Sequence, residues 1–185
     1  MPPVTLTISP AITPEIPALE ALLAPWRDTI GADFIAYRNH LYRVLHFYRG
    51  LRGGEELPGP VLAAAVFHDL GIWTDHTVDY LEPSARLAQT WMEREGHQDW
   101  AAQLLPMVRE HHKLSSYQGD AVVEAFRRAD WADVSLGLLR FGLPRTYVAQ
   151  VRTAFPNAGF HKRLVQLTLG QLRKRPWNPL PMLKF

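Results

Sequence analysis

The sequence contains no cysteine, and this absence excludes disulfide bonds, cysteine–zinc sites and thiol nucleophiles together. Any metal ion must therefore be bound by histidine, aspartate and glutamate side chains. The chain also lacks an apolar run of about 18 residues and a signal-peptide pattern. We therefore expect a cytoplasmic protein that does not interact with a membrane.

The chain has little excess charge, with 20 basic and 18 acidic residues and a formal net charge of +2. No basic cluster is denser than Arg173-Lys174-Arg175. We therefore expect no nucleic-acid polymer as a partner. A length of 185 residues, 47% of them hydrophobic, is enough for one domain with a substantial core.

Apolar residues recur at helical spacings, whereas no alternating strand pattern of useful length appears. The sequence therefore predicts an all-α fold, a single-domain bundle of about eight helices. We expect an extended lead-in at residues 1–12, the helical domain at 13–175 and an extended, proline-rich tail at 176–185. The tail packs either on the domain or on a second copy in a homodimer, and the sequence leaves both open.

The helix bounds follow from caps, glycines and prolines. Thr13-Pro14-Glu15 predicts the start of the first helix, Pro106 a kink or split in the fifth, and Gly71 the end of the third. A polar loop is expected at 72–81. The predicted helices lie at about 13–26, 32–51, 60–70, 82–96, 97–112, 120–139, 145–155 and 157–174.

The most informative stretch is an apolar run, Val61–Phe67, that leads directly into His68 and Asp69. Apolar side chains on every face predict a helix that is buried all round. An ionisable pair at the end of such a helix is costly unless charge, hydrogen bonds or a metal ion compensates it. The alternative is a buried histidine that hydrogen-bonds to the aspartate or to a backbone carbonyl.

Two further candidate ligands fall on apolar helix faces. His40 lies beside the apolar stripe of the second helix, and Asp130 lies on the core side of the sixth. Together with His68 and Asp69 they form a mixed nitrogen and oxygen set from three helices. Such a set leaves coordination positions for water and substrate, which is typical of hydrolytic metal sites.

The order His, His-Asp, Asp, with His40-Leu-Tyr-Arg43-Val44 first and Ala129-Asp130 last, resembles the HD-domain metal-dependent phosphohydrolase superfamily. The resemblance covers about residues 34–139. It implies an all-helical fold with His40, His68, Asp69 and Asp130 as metal ligands and Asp69 also as a catalytic residue. It further implies hydrolysis of a small phosphoester or nucleotide by a metal-activated water. The expected metal is divalent Mn, Fe, Co, Ni or Zn, with Mg as an option.

A second segment, Glu110-His111-His112-Lys113, is similar to the His-His segment of HD branches with extra histidines, which include dinuclear phosphodiesterases and di-iron oxygenases. Those branches also carry a histidine between the His-Asp and His-His pairs, where this chain has Leu81–Ser84. We therefore expect one ion rather than two, with His111 or His112 binding substrate or supporting a ligand. The alternative for these histidines is stabilisation of a helix C-terminus.

The chain departs from the nucleotidase and alarmone-hydrolase branches, which carry a glutamate a few residues after His-Asp. Ile72 and Trp73 occupy those places here. If the following loop overhangs the metal, Asp75 and Asp79 are the candidate proton-transfer residues. Their alternative role is ordinary solvation or capping of the loop.

Three more side chains are candidates for substrate binding. Arg43 lies one turn after His40 and is a candidate phosphate clamp, with a salt bridge to a neighbouring helix as its alternative role. Lys113 is a second candidate clamp. Trp73 is expected to stack on a base or to wall off the pocket.

Two classes of alternative function stay open for a chain of this kind, a different enzyme and a binding module. HD-like folds include small-molecule hydratases and di-iron oxygenases, and His111-His112 keeps both possible. A metal- or ligand-binding module without turnover is the other alternative, because the glutamate after His-Asp is missing.

Overall fold

The computed structural model describes residues 9–184, so most of the predicted lead-in lies outside the described residues. Within this range the protein is all-helical, as predicted, and one isolated β-bridge joins Lys113 to Lys184. Eight of the described α-helices have seven residues or more, in agreement with the expected number. The helices are α1 (Pro17–Leu23), α2 (Arg27–Ile30), α3 (Phe34–Leu51), α4 (Gly59–Phe67), α5 (Gly71–Thr74), α6 (Leu81–Glu95), α7 (Ala101–Glu110), α8 (Ala121–Val134), α9 (Arg145–Ala154) and α10 (Phe160–Lys174).

The core is organised around α3, which packs along α8 and also contacts α4, α9 and α10. Helix α7 packs against α4, α6 and α8. Every residue from Val61 to Phe67 in α4 is buried, as its uniformly apolar sequence predicts. In the part of the chain that the structure covers, no helix is both long and apolar enough to cross a membrane.

The predicted start of the first helix, with Thr13 as N-cap and Pro14 as the first helical residue, was wrong by three residues, because α1 begins at Pro17. Thr13 instead ties the preceding segment to α3. Its backbone N–H donates to His46 Nε2 at 3.0 Å, and its hydroxyl accepts from Arg49. Pro17 occupies the first helical position, where proline is favoured because no N–H is needed.

Gly71 does not end a helix in the left-handed conformation but opens the single-turn helix α5. The predicted loop at 72–81 is therefore helical over its first three residues. A Cβ on Gly71 would lie 2.7 Å from the Tyr80 carbonyl oxygen and 2.9 Å from Pro83 Cβ. Glycine is thus required by the close approach of the segment that enters α6.

Two other predicted bounds need correction. Helix α8 ends at Val134 rather than near Leu139, because Leu136 and Gly137 adopt left-handed backbone conformations with φ of 57° and 83°. Pro106 does not split the fifth predicted helix, since α7 runs through it from Ala101 to Glu110.

The tail after α10 packs back on the domain. Met182 is 9% exposed, and the Leu114 N–H donates to the Lys184 carbonyl at 2.7 Å. The segment contains turns rather than a fully extended chain. A homodimer stays a prediction.

Candidate metal centre

The structure brings together all four residues that the sequence singled out as metal ligands. His40 comes from the middle of α3, His68 and Asp69 directly follow α4, and Asp130 lies in α8. Each is at most 3% exposed. His40 Nε2 lies 3.0 Å from His68 Nε2, 3.6 Å from Asp69 Oδ2 and 3.5 Å from Asp130 Oδ1.

The orientation of the imidazoles is set by hydrogen bonds on the far side of each ring. Nδ1 of His68 donates to the Ala65 carbonyl at 2.7 Å, and Nδ1 of His111 donates to the Val108 carbonyl at 2.8 Å. Nδ1 of His40 donates to an Asp133 carboxylate oxygen at 2.7 Å. Because these acceptors carry no hydrogen, Nδ1 of each ring is protonated, and in the neutral form of each ring Nε2 presents a lone pair to the cluster.

In the neutral imidazoles these tautomers place lone pairs against each other, and either a proton or a metal ion resolves this conflict. The Nε2 lone pairs of His40 and His68 face each other at hydrogen-bonding distance. Buried polar atoms without a hydrogen-bond partner surround them, namely Asp69 Oδ1, His111 Nε2 and both carboxylate oxygens of Asp130. A proton or a metal ion between these atoms would satisfy them, whereas without one each carries a desolvation cost. The donor set therefore fits a metal ion.

A second candidate group adjoins the first and shares Asp69 with it. His111 Nε2 lies 3.3 Å from Asp69 Oδ1, and His112 Nδ1 lies 3.9 Å from Asp130 Oδ2. The ligand atoms of His40, His68 and Asp69 lie within 4.8 Å of one another, as do those of Asp69, His111 and His112. Buried histidines and aspartates of this cluster can thus hold a metal ion.

Protonation within the cluster reflects the same conflict. Burial lowers the pKa of His68, but the charge of Asp69 outweighs burial and raises it to about 9. Burial lowers the pKa of His40 to about 4 and lowers that of His111 and His112. Burial together with the neighbouring carboxylates raises the pKa of Asp130 well above its usual range. Both shifts favour the protonated forms of His68 and Asp130 within the cluster.

Arg43 does not line the cluster as a phosphate clamp, and its alternative role as a structural salt bridge is the one observed. It is 2% exposed and forms a bidentate pair with Asp133, with Nε–Oδ1 and Nη2–Oδ2 distances of 2.6 and 2.8 Å. Its Nη1 donates to the carbonyls of Phe155 and Pro156. Arg43 therefore fixes Asp133, which in turn orients His40.

Asp133 was missed at the sequence level, although a signal for it was present. It lies three residues after Asp130 on α8, so the two carboxylates share one helix face. Phe160 was also missed. It stacks on the His40 ring at 4.1 Å between centroids and shields the imidazole from water.

The structure does not bring Asp75 and Asp79 into the cluster. Both side chains are exposed, and Asp75 accepts from Arg86 at 3.5 Å on the surface. The Asp79 N–H is capped by the Thr77 hydroxyl. Within the loop that follows α5, Val78 and Tyr80 are buried, whereas the side chains of Asp75 and Asp79 face solvent rather than the candidate metal ligands.

Trp73 lies near the site in a structural rather than a substrate-facing position. Trp73 is 4% exposed, packs on Tyr37 at 4.5 Å between ring centroids and donates from Nε1 to Asp33. It therefore walls the core and does not offer a face to a base. Lys113 is half-buried, and its backbone carbonyl accepts from Arg127 and Trp131.

A cavity of about 260 Å³ opens beside the ligands. Asp69, Tyr80 and His112 form its polar end, and the Tyr80 hydroxyl is hydrogen-bonded to His112 Nε2 at 2.6 Å. Residues of α8, α10 and the tail form its other walls. Tyr80 was not among the sequence candidates, because its contact with His112 spans 32 residues.

Comparisons of the chain with models of known protein families, with curated proteins and with solved structures found no match. The chemistry of the site is therefore argued from its own geometry. That geometry offers buried imidazole and carboxylate groups that could hold a metal ion, next to a cavity that can admit a small molecule.

Proposed function

We propose that this protein is a metal-dependent hydrolase, a phosphohydrolase that acts on a small phosphoester, and that it is similar to the HD-domain superfamily. The observation that carries the proposal is the set of imidazoles whose outer nitrogens are hydrogen-bonded, so that their inner nitrogens face unpartnered carboxylate oxygens. Neutral imidazole and carboxylate ligands suit divalent Mn, Fe, Co, Ni and Zn, and Mg less well.

His40, His68, Asp69 and Asp130 would hold the first ion. The smaller group of Asp69, His111 and His112 would hold a second ion more weakly, because it has fewer ligands and shares one. A divalent ion held here would lower the pKa of a bound water towards neutrality and polarise a phosphoryl oxygen. This proposal goes beyond the single ion expected from the sequence.

The chain's own groups set up the rest of the reaction. The Arg43–Asp133 pair keeps His40 in the ligating tautomer, and the buried α4 excludes bulk water from the ligands. Hydrolysis consumes one water, breaks the phosphorus–oxygen ester bond and places a proton on the leaving oxygen. Tyr80 Oη, hydrogen-bonded to His112 at the cavity, is the group positioned to donate to that oxygen.

The partners follow from the same site. We propose a small phosphorylated molecule as substrate, with no nucleic-acid polymer and no membrane, and a cytoplasmic location. A homodimer is supported by an apolar face on α10, where Val165 and Leu169 are 57% and 49% exposed.

Elemental analysis of the purified protein tests the proposal. We expect at least one equivalent of a transition metal per chain, and its complete loss in His68→Ala. His112→Ala should lose only a second, weaker equivalent. His97→Ala is the matched control, because that ring stacks on Trp100 outside the cluster and should leave metal content unchanged. A folded wild-type protein that takes up no metal after incubation with Mn, Fe, Co, Ni or Zn would refute the proposal.

A di-iron oxygenase is the second candidate function, because Asp69 is shared between the two groups of ligands. Two irons per chain, with no phosphoester hydrolysis, would favour it over the phosphohydrolase. A metal-free cluster in a folded protein would favour a binding module instead.

A further inference from the structure

The cavity beside the cluster has one polar end and an otherwise apolar lining. Asp69, Tyr80 and His112 lie at the polar end, where Asp69 Oδ1 is buried without a hydrogen-bond partner. Val134, Leu164 and Met182 are among the apolar residues of the remaining walls. A small molecule that fills this cavity must therefore present a polar head to the candidate metal-ligating side chains and an apolar body to the other walls.

Among the described residues that line the cavity, none is a lysine or an arginine. The two buried arginines nearby are engaged elsewhere. Arg43 is paired with Asp133 and two backbone carbonyls, and Arg127 is paired with Glu124 and the Lys113 carbonyl. A polyphosphate chain would find no cation on the cavity walls, and neither a base nor a ribose would find many hydrogen-bonding groups.

The size of the cavity limits the apolar body. A dry protein cavity of about 150 Å³ binds benzene, so the 260 Å³ found here holds a six-membered ring with a short chain or a polar head. Pockets that bind drug-sized ligands have volumes of about 300–1,000 Å³, so this cavity lies just below that range.

The outer wall belongs to the C-terminal tail, which is attached next to the ligands. Leu180, Met182 and Leu183 line the cavity. The following residue, Lys184, donates from its backbone N–H to the His112 carbonyl at 3.5 Å and from Nζ to Glu110 at 3.2 Å. The tail is thus fixed to the segment that carries the second group of ligands and closes the cavity over it.

We infer that the substrate is a small phosphomonoester with an apolar organic group, and that this cavity binds the apolar group and selects against nucleotides. The inference rests on the proposed function, since the metal ligands would hold the phosphoryl head. The binding of an apolar group depends only on the cavity walls, so it can be measured in the metal-free protein.

Two phosphonates that cannot be hydrolysed distinguish binding of the phosphoryl head from binding of the apolar group. Phenylphosphonate and methylphosphonate share the head, so isothermal titration of the metal-loaded protein should give at least tenfold tighter binding of phenylphosphonate. Adenosine monophosphate should bind more weakly than phenylphosphonate. Equal affinities for the two phosphonates, or tighter binding of the nucleotide, would overturn the inference while leaving the metal site intact.

A filled cavity provides the matched variant. Thr168 lines the cavity from α10, so Thr168→Phe should weaken phenylphosphonate binding at least tenfold and leave metal content unchanged. Gln166→Phe introduces the same ring at an exposed position of the same helix that does not line the cavity and should have no effect. If Thr168→Phe fails to fold, Leu164→Asn replaces it, because an unpartnered amide in the wall opposes the phenyl group without adding volume.

Toluene separates failure of the inference from failure of the proposed function. Saturation-transfer NMR should detect toluene binding to the metal-free wild type and its loss in Thr168→Phe. Toluene binding in a protein that takes up no metal would refute the proposed hydrolase function and support the apolar binding site. Metal uptake without any preference for apolar probes would support the metal site and refute the inference about the cavity.

Discussion

Replacing Arg43 with methionine removes the cation that compensates a buried carboxylate. Arg43 is 2% exposed and Asp133 is 1% exposed, and two charged hydrogen bonds of 2.6 and 2.8 Å join them. Removing one partner of such a pair leaves an uncompensated buried charge, which costs about 3–5 kcal/mol. Methionine preserves the apolar stem, so the change isolates the guanidinium.

We expect the loss of stability in Arg43→Met to lie at the upper end of this range of about 3–5 kcal/mol. The same guanidinium donates to the Phe155 and Pro156 carbonyls, which connect α9 to α10. Each lost hydrogen bond adds about 1 kcal/mol. We therefore expect the free energy of unfolding to fall by about 5 kcal/mol, measured by urea denaturation with circular dichroism.

Arg52→Met is the matched control for this change. Arg52 pairs with Glu55 at 2.9 Å on the surface, where the two side chains are 30% and 59% exposed. An exposed ion pair contributes about 0–1 kcal/mol, so this variant should unfold nearly like the wild type. Equal losses in the two arginine variants would refute the argument that burial makes the Arg43–Asp133 pair structural.

Two further predictions concern stability. Gly71→Ala should lower the free energy of unfolding by about 1–3 kcal/mol in the same assay, because its Cβ meets the Tyr80 carbonyl oxygen at 2.7 Å; an unchanged midpoint would contradict the packing described for α5. Partial burial raises the pKa of Glu124, but hydrogen bonds from Arg127, the Tyr117 backbone and Arg128 outweigh it and lower the pKa to about 2. Because the folded pKa is the lower one, this stabilisation is present above about pH 4.5 and is lost as the pH falls towards 2. Glu124→Gln should therefore unfold at a lower temperature than the wild type at pH 7 and at a similar temperature near pH 2, and a constant difference across this range would contradict the assignment.

The sequence was sufficient to predict which histidine and aspartate side chains come together as candidate metal ligands, where their positions follow from local pattern. An apolar run that ends in His68-Asp69 identifies a buried ionisable pair, since a helix buried on every face has nowhere else to expose it. His40 and Asp130 were found because each lies on the apolar side of a predicted helix. Helical periodicity was thus the main evidence for the all-α fold and for the candidate ligands His40, His68, Asp69 and Asp130.

Features that depend on distant contacts were not predictable in this way. Arg43 and Asp133 are 90 residues apart, so the sequence does not tell whether the arginine turns to a substrate or to a carboxylate. The direction of the loop with Asp75 and Asp79 depends on how closely α5 approaches the entry to α6, which is a tertiary contact. The start of the first helix was wrong for a related reason, because the Thr13 N–H donates to His46 in α3 instead of Thr13 capping a helix.

The cluster itself is a source of instability when no metal ion is bound. Both carboxylate oxygens of Asp130 are buried without partners. Burial and the neighbouring carboxylates raise its pKa in the folded state, so the folded chain binds a proton at this carboxylate more tightly than the unfolded chain does. Asp130 therefore opposes folding as the pH rises, and only a bound cation reverses the sign of its contribution.

Asp130→Asn should therefore change stability in opposite directions with and without metal. In the presence of a chelator the variant should unfold at a higher temperature than the wild type, and the difference should grow with pH. In the presence of Mn the wild type should gain about 2.7 kcal/mol at a free metal concentration one hundred times its dissociation constant, whereas the variant should gain much less. Asp133→Asn is the control, because Asp133 is paired with Arg43 and His40, and its loss should destabilise the protein in both conditions. An Asp130→Asn protein that is less stable than the wild type in chelator would show that the carboxylate has partners other than a cation.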